Sequence, residues 1–550
     1  MRWKWILFLC IGIGATGCNR AMDTAAAPEA LPRVQSSSGQ IAQIHFIGSA
    51  NAGKDTNAVF LKGVWAMPET QALMKQTLTR LARAPFELAK RRGVASTNDF
   101  VSLMRPLLDD LVSAESWTEL RGETNQPTEF ALAVQLAPAR ADLWRTNLST
   151  ILMAWTGLSV TTNADGSGWE LKKHLPPNLI RFEQSGNWVV LSAGEDKIPL
   201  ADELVARIKT DGRPCPAASN YVLRAEGDLT RLAGLVPLPE EVQALQLSSV
   251  SAQWKIDDDG VQTHIVASRD RPFDLNLEQW RIPTNLVHQP LVGFTAAQGI
   301  GDWLAGHFPR LKLSPMPEQY FVWTMQGIPY QTYVATPVEN ASNTLAQLAP
   351  QLFALNTNRT AGMGGTMDWS PKPSKLTWSG LPFIEPFIEG SHGGNGDFLL
   401  SGVFPNPVRR STLPQAMLEE ISGRTNLAYY GWEVTAERMD SWRNLSQLYL
   451  LFGNFRQFDG TSASGHWLDA VTGRLGNEVT EVFLTRPNEL TLERKSPIGF
   501  TAFELLVLAN WFETPNFPFD KPIVSVRAGK GSPRRPGKAA PAMPGMPGMP

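Results

Sequence analysis

The sequence predicts an α+β body, built from recurring strand-helix-hairpin units that form antiparallel sheets covered by helices. Three observations lead there. Short segments of alternating apolar residues face each other across turn residues, as at Ser185-Gly186-Asn187 and Pro487-Asn488. Stretches with apolar residues every three or four positions stand between them, the spacing of an amphipathic helix. The units start irregularly, near 130, 221, 291 and 427, which excludes a solenoid of fixed period. One apolar face per hairpin predicts sheets covered by helices on one side.

Taken in order, a first strand is expected over 43–48. A helix follows from Pro68, carried by Leu73, Met74, Leu78 and Leu81. A second, capped by Ser96 or Thr97, presents Phe100, Leu103, Leu107 and Leu111, and Pro106 should kink it or start it. The first unit has a strand at 130–136, a helix through Leu143, Leu148, Ile151 and Trp155, and strands at 179–182 and 188–191. The next has a strand at 221–226, a short helix at 230–235 and a hairpin turning at Asp258-Asp259-Gly260. A third runs from 291 through a helix with Ile300, Trp303 and Leu304 to strands at 320–325 and 330–334. The last runs from 427 through Met439, Trp442, Leu445 and Phe452 to strands at 479–484 and 489–493. The stretch 503–511 is apolar nearly all round, which predicts a buried closing helix.

Composition narrows the function classes. The chain has 550 residues, 43% hydrophobic and 19% charged, enough for two lobes and too apolar for a disordered protein. Lys and Arg number 50 against 52 Asp and Glu, without the basic surplus of a dedicated nucleic-acid binder. After the N-terminus there is no apolar run of about 18 residues, which excludes a polytopic membrane protein. The charge is unevenly placed: Arg527, Lys530, Arg534, Arg535 and Lys538 lie in a C-terminal tail without an acid, leaving the body with an acidic surplus.

The N-terminus carries the strongest motif. Arg2 and Lys4 precede a short apolar stretch, 6–13, and then Gly14-Ala15-Thr16-Gly17-Cys18. This is the pattern of a secretory signal peptide, too short to remain as a membrane span. Ala15-Thr16-Gly17-Cys18 resembles the lipobox of bacterial lipoprotein precursors. The resemblance implies lipidation of Cys18 by a diacylglycerol, cleavage before it and acylation of the new amine with a fatty acid such as palmitate. Asn19 after the cysteine implies the outer membrane rather than the inner one. The alternative is an ordinary signal peptide in which a cysteine follows a small residue. Organisation then reads as signal peptide 1–17, flexible tether 18–41, N-terminal α+β lobe 42–284, C-terminal α+β lobe 285–520, and a disordered basic Pro/Gly/Met tail 521–550.

Catalytic signals are sparse. After signal removal and lipidation, Cys215 is the remaining thiol, set between Pro214 and Pro216 with no histidine near it in sequence. Gly48 to Lys54 has the outline of a phosphate-binding loop, but Asp55 stands where magnesium binding needs Ser or Thr, so a polar turn is expected. Ser464 in 460–466 is out of register with a nucleophile elbow. Glu385, Glu389, His392 and Asp397 fall within one Gly-rich stretch and are weak metal-ligand candidates, with an exposed loop as the plainer reading. Of the 18 tryptophans, Trp144, Trp155, Trp303 and Trp442 are expected in the core, whereas Trp254, Trp323 and Trp432 on strands could line a groove. No cofactor and no nucleic-acid partner is expected. The function expected is that of a lipid-anchored cell-envelope protein that binds or scaffolds without catalysis. A hydrolase of an envelope polymer and a carrier of a hydrophobic molecule are the alternatives. The expected partners are the membrane, through the anchor, and anionic envelope components, through the basic tail.

Overall fold

The computed structural model describes residues 39–519, apart from 92–99, 123–127, 175–176, 217–220, 236–241, 244, 259, 308–312, 327–330, 360–364, 382–383, 394, 405–414 and 452–460. The expected signal peptide with Cys18, most of the expected tether and the basic stretch 521–550 lie outside the described residues.

The first ten strands are β1 (Gln40–Phe46), β2 (Ser116–Arg121), β3 (Glu129–Gln135), β4 (Thr161–Thr162), β5 (Gly168–Lys172), β6 (Leu179–Ser185), β7 (Trp188–Gly194), β8 (Leu223–Asp228), β9 (Ser249–Asp257) and β10 (Gly260–Ser268). The next ten are β11 (Leu291–Gln298), β12 (Gln319–Met325), β13 (Thr332–Val338), β14 (Thr366–Pro371), β15 (Ser374–Ser379), β16 (Phe387–Gly393), β17 (Gly396–Gly402), β18 (Leu427–Val434), β19 (Asn477–Arg486) and β20 (Glu489–Ser496). All pair antiparallel in a single 20-stranded sheet. From one edge to the centre the order is β4-β5-β6-β7-β3-β2-β1-β8-β9-β10. From the centre to the other edge it is β20-β19-β18-β11-β12-β13-β17-β16-β15-β14.

These two arms have the same topology: read outward, each strand of the first matches the strand ten places later in the second. They join where β10 pairs with β20. At that seam His264 stands opposite Glu493, with Nδ1 and Oε1 3.6 Å apart, and the matching of strands makes these two residues each other's counterparts. The sheet therefore has a pseudo-twofold axis through its centre. Gly260 opens β10 at φ 146°, and a Cβ there would lie 2.1 Å from the Ser496 carbonyl oxygen, so the seam requires glycine.

Helices follow the same plan. α1 (Ser49–Ala52), α2 (Val59–Trp65), α3 (Pro68–Arg91) and α4 (Val101–Ser113) all fall between β1 and β2. After them come α5 (Pro138–Thr156), α6 (Pro199–Asp211) and α7 (Leu229–Leu235). The second arm has α8 (Gly301–His307), α9 (Ala341–Arg359), α10 (Gln415–Ser422), α11 (Thr435–Leu451), α12 (Ala463–Thr472) and α13 (Ala502–Phe512). α5 and α9, each 19 residues, occupy matching places after β3 and β13. α5 starts on Pro138 and stops at Gly157, whose φ of 71° releases the chain. α13 starts on a capping box, Thr501 Oγ1 accepting from the Glu504 amide and Glu504 accepting from the Thr501 amide at 2.9 Å.

Helices lie on both faces of the sheet, not on one. Ala131 and Ala133 pack with Trp117 and Val190 under Leu204 and Ile208 of α6. Their neighbour Val134 packs with Ile180 and Phe182 under Trp144 of α5. Successive residues of β3 point to opposite faces, and both faces are apolar, so a single covering layer would leave one exposed. In the second arm Phe294, Phe321, Trp323 and Phe398 pack beneath Leu418 and Ile421 of α10, and Leu345 and Leu348 of α9 cover Leu376 and Leu399 on the other face. Other departures are local. Trp303 on α8 is 56% exposed rather than core, and α4 begins at Val101 with Pro106 inside it. α13 buries Leu505, Leu506 and Ala509 but leaves Phe503 exposed, so its burial is one-sided.

Candidate functional site

The densest group of chemically active side chains lies in the first arm, where strands β1, β2 and β8 run side by side. His45, near the end of β1, stands between Trp117 of β2 and Arg224 of β8 in the ladder. Glu115 immediately precedes β2, and its carbonyl oxygen accepts from the Gln135 amide at 2.9 Å, which ties it to the end of β3. Cys215 arrives from the other side. Helix α6 ends at Gly212, φ 74°, and Trp188 Nε1 donates to the Gly212 carbonyl at 3.1 Å. That bond pins the turn, and Cys215 drops in beside Trp117, Leu204 and Ile208.

His45 is 1% exposed, Cys215 5% and Glu115 9%. His45 Nε2 lies 3.0 Å from Glu115 Oε1, and Nδ1 lies 2.9 Å from the Tyr221 hydroxyl. Cys215 Sγ is 3.7 Å from Nε2 and 3.8 Å from Nδ1. Trp117 and Tyr221 set their rings edge-on to the imidazole, with centroids at 5.4 and 5.5 Å. Next to this group Glu119 is occupied separately, accepting from Trp117 Nε1 at 2.6 Å and from Arg207 at 2.7 Å.

This arrangement does not activate a nucleophile. A sulfur on the lone-pair axis of one ring nitrogen would be much nearer that nitrogen than the other, and Sγ is nearly equidistant. Burial first, and then the Glu115 carboxylate, push the thiol up to about 12, against the pull of Arg213 and Arg207. The thiolate that covalent catalysis needs is thus suppressed. Instead, one nitrogen, one sulfur and one carboxylate oxygen lie within 4.8 Å of one another in a site shielded from water.

The second arm has a different polar group. Glu433 and Glu478 stand directly opposite in the β18–β19 ladder. Glu478 Oε1 accepts from the Thr480 hydroxyl at 2.7 Å and lies 3.4 Å from Arg494 Nε. Burial, and then the facing Glu433, hold the Glu478 carboxyl well above its ordinary value. Arg438 is 3.9 Å from Glu433, and burial lowers its pKa. Glu433 Oε1 also accepts from the Ala502 amide at 2.7 Å, at the N-terminus of α13. These acids tie a helix to a strand.

Three of the four weak metal candidates fall on strands, and Glu385 lies in the stretch before β16. Glu389 and His392 are both on β16, and their spacing sends them to opposite faces. Glu389 is paired with Lys375 at 3.1 Å. His392 Nδ1 is 2.9 Å from Asp397 Oδ1, its ladder partner on β17. Asp397 also accepts from the Ala341 amide at 3.1 Å, at the start of α9, and these two bonds lower its pKa. Glu385 is exposed, its amide donating to the Val403 carbonyl. Ser464 is buried and donates to Glu513 at 2.8 Å, and Lys54 donates to Asn51 in a polar turn. Trp323 is fully buried, and its ring stacks on that of Tyr333 at 5.7 Å.

No histidine lies near Cys215 in sequence, so no local pairing marks this group. His45 is 170 residues away along the chain and meets it through the pairing of β1 with β2 and β8 and the turn after α6. The one local signal was the Pro-Cys-Pro turn itself.

No protein-family model, no curated protein and no solved structure matches the chain. No helix among the described residues is long and apolar enough to cross a membrane.

Proposed function

We propose that the chain is a lipid-anchored cell-envelope protein that binds or scaffolds rather than catalyses, attached through Cys18 at the outer membrane. In this reading the body consists of recurring strand-helix-hairpin units, and the basic tail makes salt-sensitive contacts with anionic envelope components. The observation that supports it most is the way both arms are filled. Aromatic and aliphatic side chains occupy the space between sheet and helices, as Trp144, Trp188, Trp323 and Phe398 do, each 2% exposed or less. A recess between α3 and α12, lined by Pro68, Glu69, Ala72, Ala463, His466 and Asp469, is shallow and open. Asp469 there is engaged by Arg443 at 2.7 Å. A carrier would need a deep apolar cavity, and a hydrolase a cleft where a nucleophile, its base and oxyanion donors converge.

The test is the chemistry of the mature N-terminus with the protein's location. Radiolabelled palmitate should enter the wild type and not Cys18→Ser, and the wild type should sediment with outer-membrane fractions. A processed chain with an unmodified Cys18, or a wild type that stays soluble, would overturn the anchor and the localisation together.

A further inference from the structure

We propose that His45, Glu115 and Cys215 form a buried site for one divalent transition-metal ion of the zinc class, with the Tyr221 hydroxyl holding the imidazole from behind. Nitrogen, thiolate sulfur and carboxylate oxygen together are the donor chemistry that borderline-soft ions such as Zn²⁺ or Co²⁺ take, whereas Ca²⁺ and Mg²⁺ prefer oxygen alone. The donor atoms already lie within 4.8 Å of one another. With bonds of about 2.0–2.3 Å to a tetrahedral ion, ligand atoms stand about 3.3–3.8 Å apart, so the site closes when Cys215 Sγ turns from its place between the two ring nitrogens to the Nε2 side.

Three further observations carry the proposal. The first is the support of the ring. In the metal-free site Nε2–H donates to Glu115 at 3.0 Å and Nδ1 accepts from the Tyr221 hydroxyl at 2.9 Å; an ion bound at Nε2 would shift that proton to Nδ1, with Tyr221 then accepting it. Fixing a metal-binding histidine through its other nitrogen is the usual arrangement behind such ligands. The second is charge. The Glu115 carboxylate is buried beside a histidine, and Arg207 is committed to Glu119. A divalent ion that displaces the thiol proton to solvent leaves thiolate, carboxylate and ion neutral overall. The third is the other arm. Ala296 occupies the His45 position in β11, between Phe321 and Tyr430. All three are buried in an apolar cluster, so this fold closes without an imidazole there.

The experiment uses the full chain with Cys10→Ser and Cys18→Ser, which leaves Cys215 as its thiol. Chelator-treated protein is titrated with Co²⁺ and read by absorption, and Zn²⁺ is then added in competition. One equivalent of Co²⁺ should give a near-ultraviolet sulfur-to-cobalt charge-transfer band and visible bands of tetrahedral intensity, both removed by Zn²⁺. The same chain with Cys215→Ser should lose the charge-transfer band, and His45→Ala should lose binding. Tyr221→Phe should weaken binding by about 10–100-fold while keeping the band. Absence of the band in the parent protein overturns the proposal whatever the variants do, as does a band that persists with Cys215→Ser. Equal affinity in Tyr221→Phe and the parent overturns the role given to Tyr221.

Discussion

The two arms of the sheet share a strand order and differ in what they bury. Around His45 the first arm encloses an imidazole, a thiol and a carboxylate. At the matching place the second arm encloses Ala296, Phe321 and Tyr430. The reverse holds further in, where the second arm sets Glu433 opposite Glu478 and the first has Gly227 opposite Val250. The connections differ as well. Between β1 and β2 the described residues form four helices, and α3 packs on α12 of the other arm through the Trp467 Nε1 to Thr70 bond at 3.0 Å. Between β11 and β12 the described residues contain the seven-residue α8. Ala296 suffices at the His45 position and Gly227 with Val250 at the Glu433–Glu478 position, so the polar groups in the other arm are additions that the topology does not demand.

The comparison can be broken from the apolar side first. Trp323→Ala should cost about 3–5 kcal/mol in urea unfolding, because a fully buried indole leaves a cavity that its neighbours cannot fill. Ala296→His should cost about 2–4 kcal/mol, since the imidazole would overfill the site and find no Cys or Glu partner. An unchanged unfolding midpoint for Ala296→His would mean that the second arm accommodates an imidazole there as the first does, against the contrast between them. His45→Ala should cost less in metal-free protein, about 1–3 kcal/mol, chiefly because Glu115 is left buried without its partner. Adding Glu115→Gln should then recover part of that loss.

The smallest effect expected is a pH-dependent gain from Glu478→Gln. Burial raises the Glu478 carboxyl above its unfolded value, so the folded state holds the proton more tightly. The stability this contributes is complete below the unfolded pKa, about 4.3, and is lost as pH rises through the folded value. The glutamine keeps the neutral form at every pH. Its melting temperature should match the wild type near pH 4 and exceed it near pH 8, and a deficit at pH 8 would show that the ion pair with Arg494 outweighs desolvation.

How much of this was readable from sequence differs by region. Strands with turn residues between them were legible, as at β6–β7 with its Gly186-Asn187 turn and at β19–β20, because in both a glycine or proline turn signal stands between two short runs rich in apolar residues. The stretch 341–402 was not. Helix α9 has Pro350 inside it, and β14 to β17 carry Pro371, Gly390 and Gly393, residues that mark breaks when read locally and are accommodated here by pairing and packing. The duplication was invisible because burial, not residue identity, repeats: Trp117 matches Phe321 and His45 matches Ala296. The His45 site was hidden for a related reason. Its members come from β1, the approach to β2, the turn after α6 and the approach to β8, and no local window spans them.

The most direct measurement is the number of Zn²⁺ ions bound per intact chain, by elemental analysis after equilibration and gel filtration. One ion per chain is expected, lost in His45→Ala and retained in Glu478→Gln, because the nitrogen, sulfur and carboxylate donors meet in one arm while the matching place in the other holds Ala296 among Phe321 and Tyr430. A count of zero, a count of two, or one ion that survives His45→Ala would contradict that assignment.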